Sequence, residues 1–199
     1  MKNYKCDMGG SKDMPNSTIT KNALANSFKK LMQEQTFDKI NVTDICDNCN
    51  MSRKSFYYHF KDKYDLITWI FNNEFLSKVD VDSVQYNFND HWDFITTACE
   101  YFYENRSFYK KILQIKGQNS FSDYLRQCLH PLLRKRLTYM FDGENVDDFT
   151  VDLFADFTLC VIERWLLEND DITPKVFVNK LHTIICRSTV SVYNEIENN

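Results

Sequence analysis

Residues 43–63, TDICDNCNMSRKSFYYHFKDK, constrain the fold more than any other part of the chain. Their pattern predicts two short helices joined by a tight turn, with Thr43 as the N-cap of the first and Ser52 as the N-cap of the second. Between them Asn50 is expected in the left-handed conformation that ends a helix, which Asn tolerates better than most residues with a side chain. The segment therefore predicts a helix-turn-helix.

The second of these helices is expected to bury one ridge and expose the rest of its surface. Met51 and Phe56 have the spacing of a hydrophobic staple, and Phe60 continues the buried line. The outer surface carries donors that suit a helix entering the major groove, with base edges contacted from the first turn and phosphates from the rest. The expected base-edge residues are Arg53, Lys54 and Ser55, and the expected phosphate contacts are Tyr57, Tyr58, His59 and Lys63.

The rest of the chain has a helical pattern throughout. Only 4 Gly and 3 Pro interrupt 199 residues, and apolar residues recur at helical spacing without strand alternation. The sequence predicts an all-α protein with a flexible tail (1–18), a three-helix DNA-binding head (19–65) and a larger C-terminal helical bundle (66–199). Met14 is an alternative start of the chain. Helices are predicted over 20–35, 62–78, 90–104, 106–116, 120–141, 147–169 and 174–195.

Charge is distributed unevenly between the head and the body. The net charge is −4, but residues 1–65 hold 11 Lys and Arg against 8 Asp and Glu, while residues 66–199 hold 13 against 20. A head of +3 on a body of −7 directs a polyanion such as DNA towards the N-terminal part. We find no apolar stretch long enough to cross a membrane and no apolar signal segment, so a cytoplasmic protein without membrane contact is expected.

Cysteine and histidine patterns give no support to metal or cofactor binding. Cys46 and Cys49 form a single CxxC motif without a second pair, and the other helical cysteines are expected to be buried free thiols. The histidines are far apart and lack paired carboxylates at ligand spacing. There is no phosphate-binding glycine loop or nucleophile–base motif, so neither a cofactor nor an enzymatic activity is expected.

The run VTDICDNCNMSRKSFYYHFKDKYDLI resembles the DNA-binding head of the TetR family of bacterial transcription regulators, and FYYHFKDKYDLI is its most specific part. The resemblance implies a homodimer that places two heads in successive major grooves. It also implies that the family's DNA contacts fall on Thr43, Arg53, Lys54, Ser55, Tyr57, Tyr58, His59 and Lys63. Asn50 is a departure, since the family usually has Gly there.

The fragments ITWIFNNEF and ENRSFYKKIL are further similar to regulators of dihydroxyacetone kinase operons in Gram-positive bacteria. This second resemblance implies control of such an operon through a protein co-regulator, whereas the TetR resemblance in general implies a small-molecule effector bound in the body. The aromatic residues of the body are interpreted as core packing rather than as the lining of a ligand site.

The last two predicted helices carry apolar stripes that suit an interface between two copies of the chain. The residues expected at this dimer interface are Phe157, Val161, Trp165, Leu181 and Ile185. The alternative is that these faces pack within one chain. For the function as a whole, the alternative to a DNA-binding regulator is a helical protein-interaction scaffold that does not bind DNA.

Overall fold

The computed structural model describes residues 15–78, 88–115, 117, 120–141, 143, 145–168 and 171–197, and all regular structure within them is helical. The predicted all-α fold is therefore confirmed. The α-helices are α1 (Pro15–Glu34), α2 (Val42–Asp47), α3 (Arg53–His59), α4 (Lys63–Glu74), α5 (Phe88–Glu104), α6 (Arg106–Leu113), α7 (Phe121–Met140), α8 (Asp148–Glu168) and α9 (Pro174–Glu197), with short 3-10 helices at Phe37–Lys39 and Leu76–Lys78.

The first helix begins earlier than the sequence pattern indicates. The sequence predicts a helix over 20–35 after a tail over 1–18, but α1 already starts at Pro15, so the predicted tail is too long. Proline suits this place because its fixed φ is compatible with the first turn and its missing N–H would have no helical partner there. The rest of the predicted tail, including Met14, lies outside the described residues.

The head and the body share one continuous hydrophobic core. In the head, Leu24 and Phe28 of α1 pack with Ile45 of α2 and Phe56 of α3, all fully buried. The same cluster continues along α4 into the body, where its largest buried members include Phe71, Phe102, Tyr109 and Phe121. The boundary predicted between the head (19–65) and the body (66–199) falls inside α4, which begins at Lys63. The helix α4 therefore contributes to the packing of both parts.

Polar pairs join α7 and α8 along their length. Ser122 bonds Glu163, the Arg126 guanidinium lies 2.6 Å from the Asp156 carboxylate, His130 Nε2 lies 3.7 Å from Asp152, and Arg134 pairs with Asp148. The α7 members recur every four residues, so all four lie on one face of that helix. These pairs hold α7 and α8 together as an antiparallel hairpin.

The predicted dimer residues divide into exposed and buried ones. Phe157 is 53% exposed and Ile185 is 38% exposed, while Val161 and Leu181 are half-buried. Trp165 is only 2% exposed, so its assignment to the interface is wrong. Its stripe position is explained by packing within the chain.

The indole ring of Trp165 has partners on the segment that follows α8. The ring stacks on Phe177 with 4.6 Å between centroids, and its N–H donates to the Ile172 carbonyl at 2.8 Å. A buried indole normally needs such an acceptor, and this one ties the end of α8 to the start of α9.

The aromatic residues of the body pack mainly as predicted, in the core. Phe102, Phe108, Tyr109 and Phe121 are buried, whereas Tyr139 near the end of α7 is 62% exposed and is an exception. In the part of the chain that the structure describes, no helix has the length and apolar character needed to cross a membrane.

Candidate nucleic-acid interface

The first helix of the helix-turn-helix is capped by Asn41 and not by Thr43. The Asp44 amide donates to the Asn41 side chain at 3.0 Å, and the Asn41 amide donates back to the Asp44 carboxylate at 2.9 Å. This reciprocal capping box satisfies two backbone donors, which outweighs the single bond that Thr43 could accept. The predicted cap is therefore wrong, and Thr43 instead lies exposed in the first turn of α2.

The turn between α2 and α3 has the geometry that the sequence predicts. Asn50 has φ = 55°, in the left-handed region, and it is the only residue other than glycine with positive φ among those described. The Met51 amide then donates to the Cys46 carbonyl at 2.9 Å, which closes the end of α2. Asn50 thus takes the part that glycine usually plays after a helix.

A buried serine on α1 holds the end of α2 in place. The Ser27 hydroxyl donates to the Ile45 carbonyl at 2.6 Å and accepts a bond from the Asn48 amide side chain at 3.0 Å. Ser27 is buried, so its bond to Ile45 lies away from competing water, while the bond from Asn48 is partly buried. Sequence reasoning missed this residue, because its partners lie 18 and 21 positions away and no local pattern marks them.

The helix α3 is anchored on one side only. The Ser52 hydroxyl accepts a hydrogen bond from the Ser55 amide at 3.1 Å, as predicted for its N-cap. Phe56 and Phe60 are both buried, and the Phe60 ring lies 5.8 Å from the ring of Trp69 on α4. Since α3 has only seven residues, these aromatic contacts and the cap fix its direction.

The other side of α3 faces outwards with its predicted donors. Arg53 and Lys54 are exposed, and Tyr57 and Tyr58 are 51% and 82% exposed. The Arg53 guanidinium lies 5.9 Å from the centre of the Tyr57 ring, which keeps the two side chains together.

Two members of the predicted set are less accessible. Ser55 and His59 are half-buried, and the His59 ring packs against that of Tyr58 with 4.8 Å between centroids. Both still lie on α3 beside the exposed residues. The structure thus brings Arg53 through His59 onto one short helix.

The N-terminus of α4 is already occupied by a carboxylate. Asp62 accepts bonds from the amides of Tyr64 and Asp65 at 2.8 and 2.9 Å. The Lys61 amide donates to the Asp65 carboxylate at 2.9 Å. These carboxylates satisfy amide donors that would otherwise attract a phosphate to the start of α4.

Lys63 has a structural role that its sequence position does not indicate. Its ammonium donates to the carbonyl oxygens of Phe37, at 2.8 Å, and Ile40, and it lies 4.0 Å from the centre of the Phe37 ring. Partial burial lowers the pKa of Lys63, and the negative charges of Asp38 and Asp44 oppose that effect. Two of its three N–H donors are used within the head, so a free phosphate anchor is not what the structure provides.

The cysteines of the head are thiols in a protected environment. Cys46 is buried and Cys49 half-buried, and burial raises the pKa of both thiols. Cys160 on α8 is exposed, contrary to the expectation that it is buried. Within the described ranges, no three His, Cys, Asp or Glu residues are grouped so that they could hold a metal ion.

The helix α3 follows a tight turn after α2, is fixed on the helical head by its buried side, and exposes cationic and aromatic side chains. These features are those of a helix-turn-helix DNA-binding regulator. Residues 29–68 match the family described as bacterial regulatory proteins, tetR family, and residues 90–187 match a transcriptional regulator C-terminal region of the TetR type.

Sequence comparison then places the chain more closely. It is 31% identical over 137 residues to the HTH-type dhaKLM operon transcriptional activator DhaS of Lactococcus lactis subsp. lactis (strain IL1403). The aligned residues cover 69% of this chain and 69% of that protein. The chain therefore belongs to the TetR family of bacterial transcriptional regulators, in the branch of DhaS. Membership decides against the alternative of a scaffold that does not bind DNA.

Solved structures show the same fold. The dihydroxyacetone kinase operon activator DhaS superposes with a TM-score of 0.60 at 22% identity, over 87% of this chain and 98% of that one. NalD of Pseudomonas aeruginosa, the secondary repressor of the MexAB-OprM multidrug efflux pump, gives 0.64 at 16% identity over 86% and 96%. A TetR transcriptional regulator from Streptococcus agalactiae 2603V gives 0.59 at 20% over 85% and 95%.

Proposed function

We propose that this protein is a homodimer that binds operator DNA through α3 and controls a dihydroxyacetone kinase operon. The observation that carries the DNA contact is the outward face of α3, where Arg53, Lys54, Tyr57 and Tyr58 project from a helix fixed from behind. The pathway rests on the similarity to DhaS, which is described as a dhaKLM operon activator.

The exposed residues of α3 suit two kinds of contact. Arg53 and Lys54 lie in the first turn, the part of a recognition helix that contacts base edges, and both can donate to guanine O6 and N7. Ser55, in the same turn, is a further donor to base edges, while Thr43, Tyr57, Tyr58 and His59 offer hydroxyl or imidazole groups to phosphates beside them. Lys63 is left out of the direct contacts because its ammonium already serves two carbonyl groups.

We assign the dimer interface to the outer faces of α8 and α9. The exposed large apolar residues of these helices are Phe149, Leu153, Phe154, Phe157, Val176, Ile184 and Ile185. Such a concentration of exposed apolar side chains is uncommon on a monomer, and two copies of both helices would bury it in a four-helix interface. The half-buried Val161 and Leu181 lie at its border. Of the predicted aromatic residues, Phe157 is kept in the proposed interface and the buried Trp165 is left out.

The body then receives the regulatory signal. An effector bound in the body, or a protein co-regulator docked on it, would change the separation of the two heads. Heads in successive major grooves must stand about 34–36 Å apart, so a small change in their angle lowers affinity for DNA.

Fluorescence anisotropy with a labelled duplex tests the DNA contact and the pathway together. The probe is the promoter region of the source organism's dihydroxyacetone kinase genes, with a duplex selected from a random library as the second probe. Phosphate contacts should give a log–log salt slope of about −0.9 for each phosphate neutralised. Lys54→Ala should weaken binding, whereas Lys135→Ala, which removes an exposed cation from α7, should not.

The outcomes separate the two parts of the proposal. Tight, salt-dependent binding to the promoter supports both. Binding to the selected duplex alone would show the pathway to be wrong, and binding to neither would overturn the role of α3.

Sedimentation equilibrium tests the dimer. Phe157→Glu should give a monomer because it places a charge inside the interface, while Tyr139→Glu changes an equally exposed aromatic residue on α7 and should leave the dimer intact. Two dimeric variants would show that the interface lies elsewhere.

Adding dihydroxyacetone to the protein–promoter complex distinguishes direct sensing, which changes the affinity, from control by a protein partner, which does not.

A further inference from the structure

The short helix α6 supplies a cation to the C-terminal end of α8. Arg106, its first residue, donates from Nε to the Leu166 carbonyl at 3.2 Å and from Nη2 to the carbonyls of Leu166 and Trp165 at 3.1 and 3.4 Å. The last carbonyl groups of a helix have no partner within it and carry a partial negative charge. Arg106 satisfies two of them at once.

The same helix supplies a second cation to the C-terminal end of α1. The Lys111 ammonium bonds the carbonyl of Met32 and lies 3.2 Å from that of Gln33 and 3.3 Å from that of Gln35. These carbonyls belong to the last turn of α1 and to the residue after it, at the start of the connection to α2. A residue of the body thus closes the helix that carries the head.

Both receiving helices lack a cation of their own at this end. Neither α1 nor α8 has a basic residue in its last turn, and each finishes on a glutamate, Glu34 or Glu168. A carboxylate at a helix C-terminus opposes the macrodipole, so both ends benefit from a positive charge supplied by another element. On α8 the guanidinium of Arg164 lies 3.8 Å from the Glu168 carboxylate, so the added cation matters most at the end of α1.

The two caps point to different sides of α6. Lys111 is five positions after Arg106, which corresponds to about 7.5 Å along the axis and about 140° around it. Packing follows the same division. Phe108 meets Phe28 of α1 with 6.0 Å between ring centroids, while Arg106 lies over Tyr103, whose ring stacks on Trp165 of α8 at 6.1 Å.

We infer that α6 is a rigid strut between the dimerisation helix α8 and the head, with Arg106 and Lys111 as the positioning residues that set the angle at which α3 is presented to DNA. The inference rests on the proposed dimer, because α8 provides the fixed reference only when it is held against a second copy. A displacement of α8 then reaches α1 through one short helix, without passing along α4.

A double-mutant cycle on DNA binding tests the inference. Arg106→Gln and Lys111→Gln, alone and combined, are measured by anisotropy on the selected duplex and on versions with the half-site spacing changed by one and two base pairs. Each single change should lower affinity for the best spacing by about fivefold, the equivalent of one lost C-terminal cap, and should flatten the preference among spacings. The combined variant should lose little more DNA affinity than either single variant. Once α6 is released from one of its two partner helices, releasing it from the other has little further effect on the angle of the head.

Two independent caps would give a different result. Their effects would multiply in the combined variant, and affinity would fall equally at every spacing, which would overturn the inference. Lys110→Gln serves as the matched control for Lys111→Gln, since it removes a neighbouring cation that points about 100° away from Lys111 around the axis of α6. It should leave the spacing preference unchanged.

Hydrogen exchange of the protein without DNA gives a readout that does not depend on the proposed function. Arg106→Gln should speed exchange of the amides at the end of α1, near Gln35, although the carbonyl groups of Leu166 and Trp165 that Arg106 bonds belong to α8. Acceleration confined to α8 would refute the strut even if DNA binding is normal. If Arg106→Gln fails to fold, Arg106→Lys keeps the charge with fewer donors and should show the same pattern, reduced in size.

Discussion

The ammonium of Lys63 lies 2.8 Å from the carbonyl oxygen of Phe37 and 4.0 Å from the centre of the Phe37 ring. One side chain therefore binds both the backbone and the aromatic face of the connection between α1 and α2. Lys63→Met keeps the apolar stem but removes the donor, so we expect the free energy of unfolding in urea to fall by about 1–3 kcal/mol, as for a buried acceptor left without its partner.

The salt dependence of DNA binding distinguishes this role from a phosphate contact. A phosphate anchor would reduce the log–log slope by about 1 and leave stability unchanged. For Lys63→Met we expect the opposite, a lower stability with the slope of the wild type. Lys61→Met, which changes an exposed lysine two residues earlier, controls for loss of charge and should leave stability as it is.

Asn50 provides a second test, of the turn between α2 and α3. At φ = 55° a residue with a Cβ is strained by about 1–2 kcal/mol, and Asn offsets part of this through local hydrogen bonding. Asn50→Ala should therefore lower the free energy of unfolding by about 1 kcal/mol, whereas Asn50→Gly should leave it the same or raise it. Equal losses in the two variants would show that the Asn side chain, and not its backbone conformation, is what the turn needs.

The elements that the sequence predicted well are those specified by neighbours along the chain. The Ser52 cap, the Asn50 turn and the inward position of Phe56 depend on residues within four positions. The capping error at Thr43 is of the same local kind. Two cap patterns overlap there, and the reciprocal pair formed by Asn41 and Asp44 is the stronger one.

The errors elsewhere concern partners that are distant in sequence. From the sequence Lys63 is expected to be a surface lysine. Its ammonium in fact bonds the carbonyl of Phe37, which is 26 positions away and cannot be found from a local pattern. Trp165 has the spacing of the apolar stripe predicted at the dimer interface, but in the structure Phe177 stacks on its ring and buries it. Ser27 and Lys111 likewise act on backbone carbonyls, which every residue has, so no side-chain pattern could reveal their targets.

The outward face of α3 gives a third prediction, which separates base contacts from phosphate contacts. Lys54→Ala should relax discrimination at one base pair of the operator by about 1–3 kcal/mol, because a base-edge donor is lost. Tyr58→Phe removes only a hydroxyl from a ring that is 82% exposed, and should weaken binding to all sequences by a similar factor. Affinities for a set of single-base operator variants measure both effects. Identical profiles would contradict the division of roles.

Cys99 gives a fourth prediction, for alkaline pH. Burial raises the pKa of this α5 thiol to about 12, with a smaller contribution from the negative charge of Glu100. Between pH 9 and 12 the unfolded chain releases this proton and the native state keeps it, so stability must fall as pH rises. The buried hydroxyls of Tyr101 and Tyr109 also have raised pKa values and act in the same direction, with onset near pH 10.

A comparison with Cys99→Ala isolates the contribution of this thiol. Urea unfolding at pH 7 gives the cost of the small cavity, which we expect to be about 1 kcal/mol. From pH 9 to 11 the variant should lose stability less steeply than the wild type, by up to about 1.4 kcal/mol per pH unit, because one titrating proton has been removed. The two stability curves should therefore converge as pH rises and cross before pH 11, at about the point where one proton's contribution equals the cost of the cavity. Curves that stay parallel would mean that the native thiol ionises as readily as the unfolded one, which its burial in the shared core argues against.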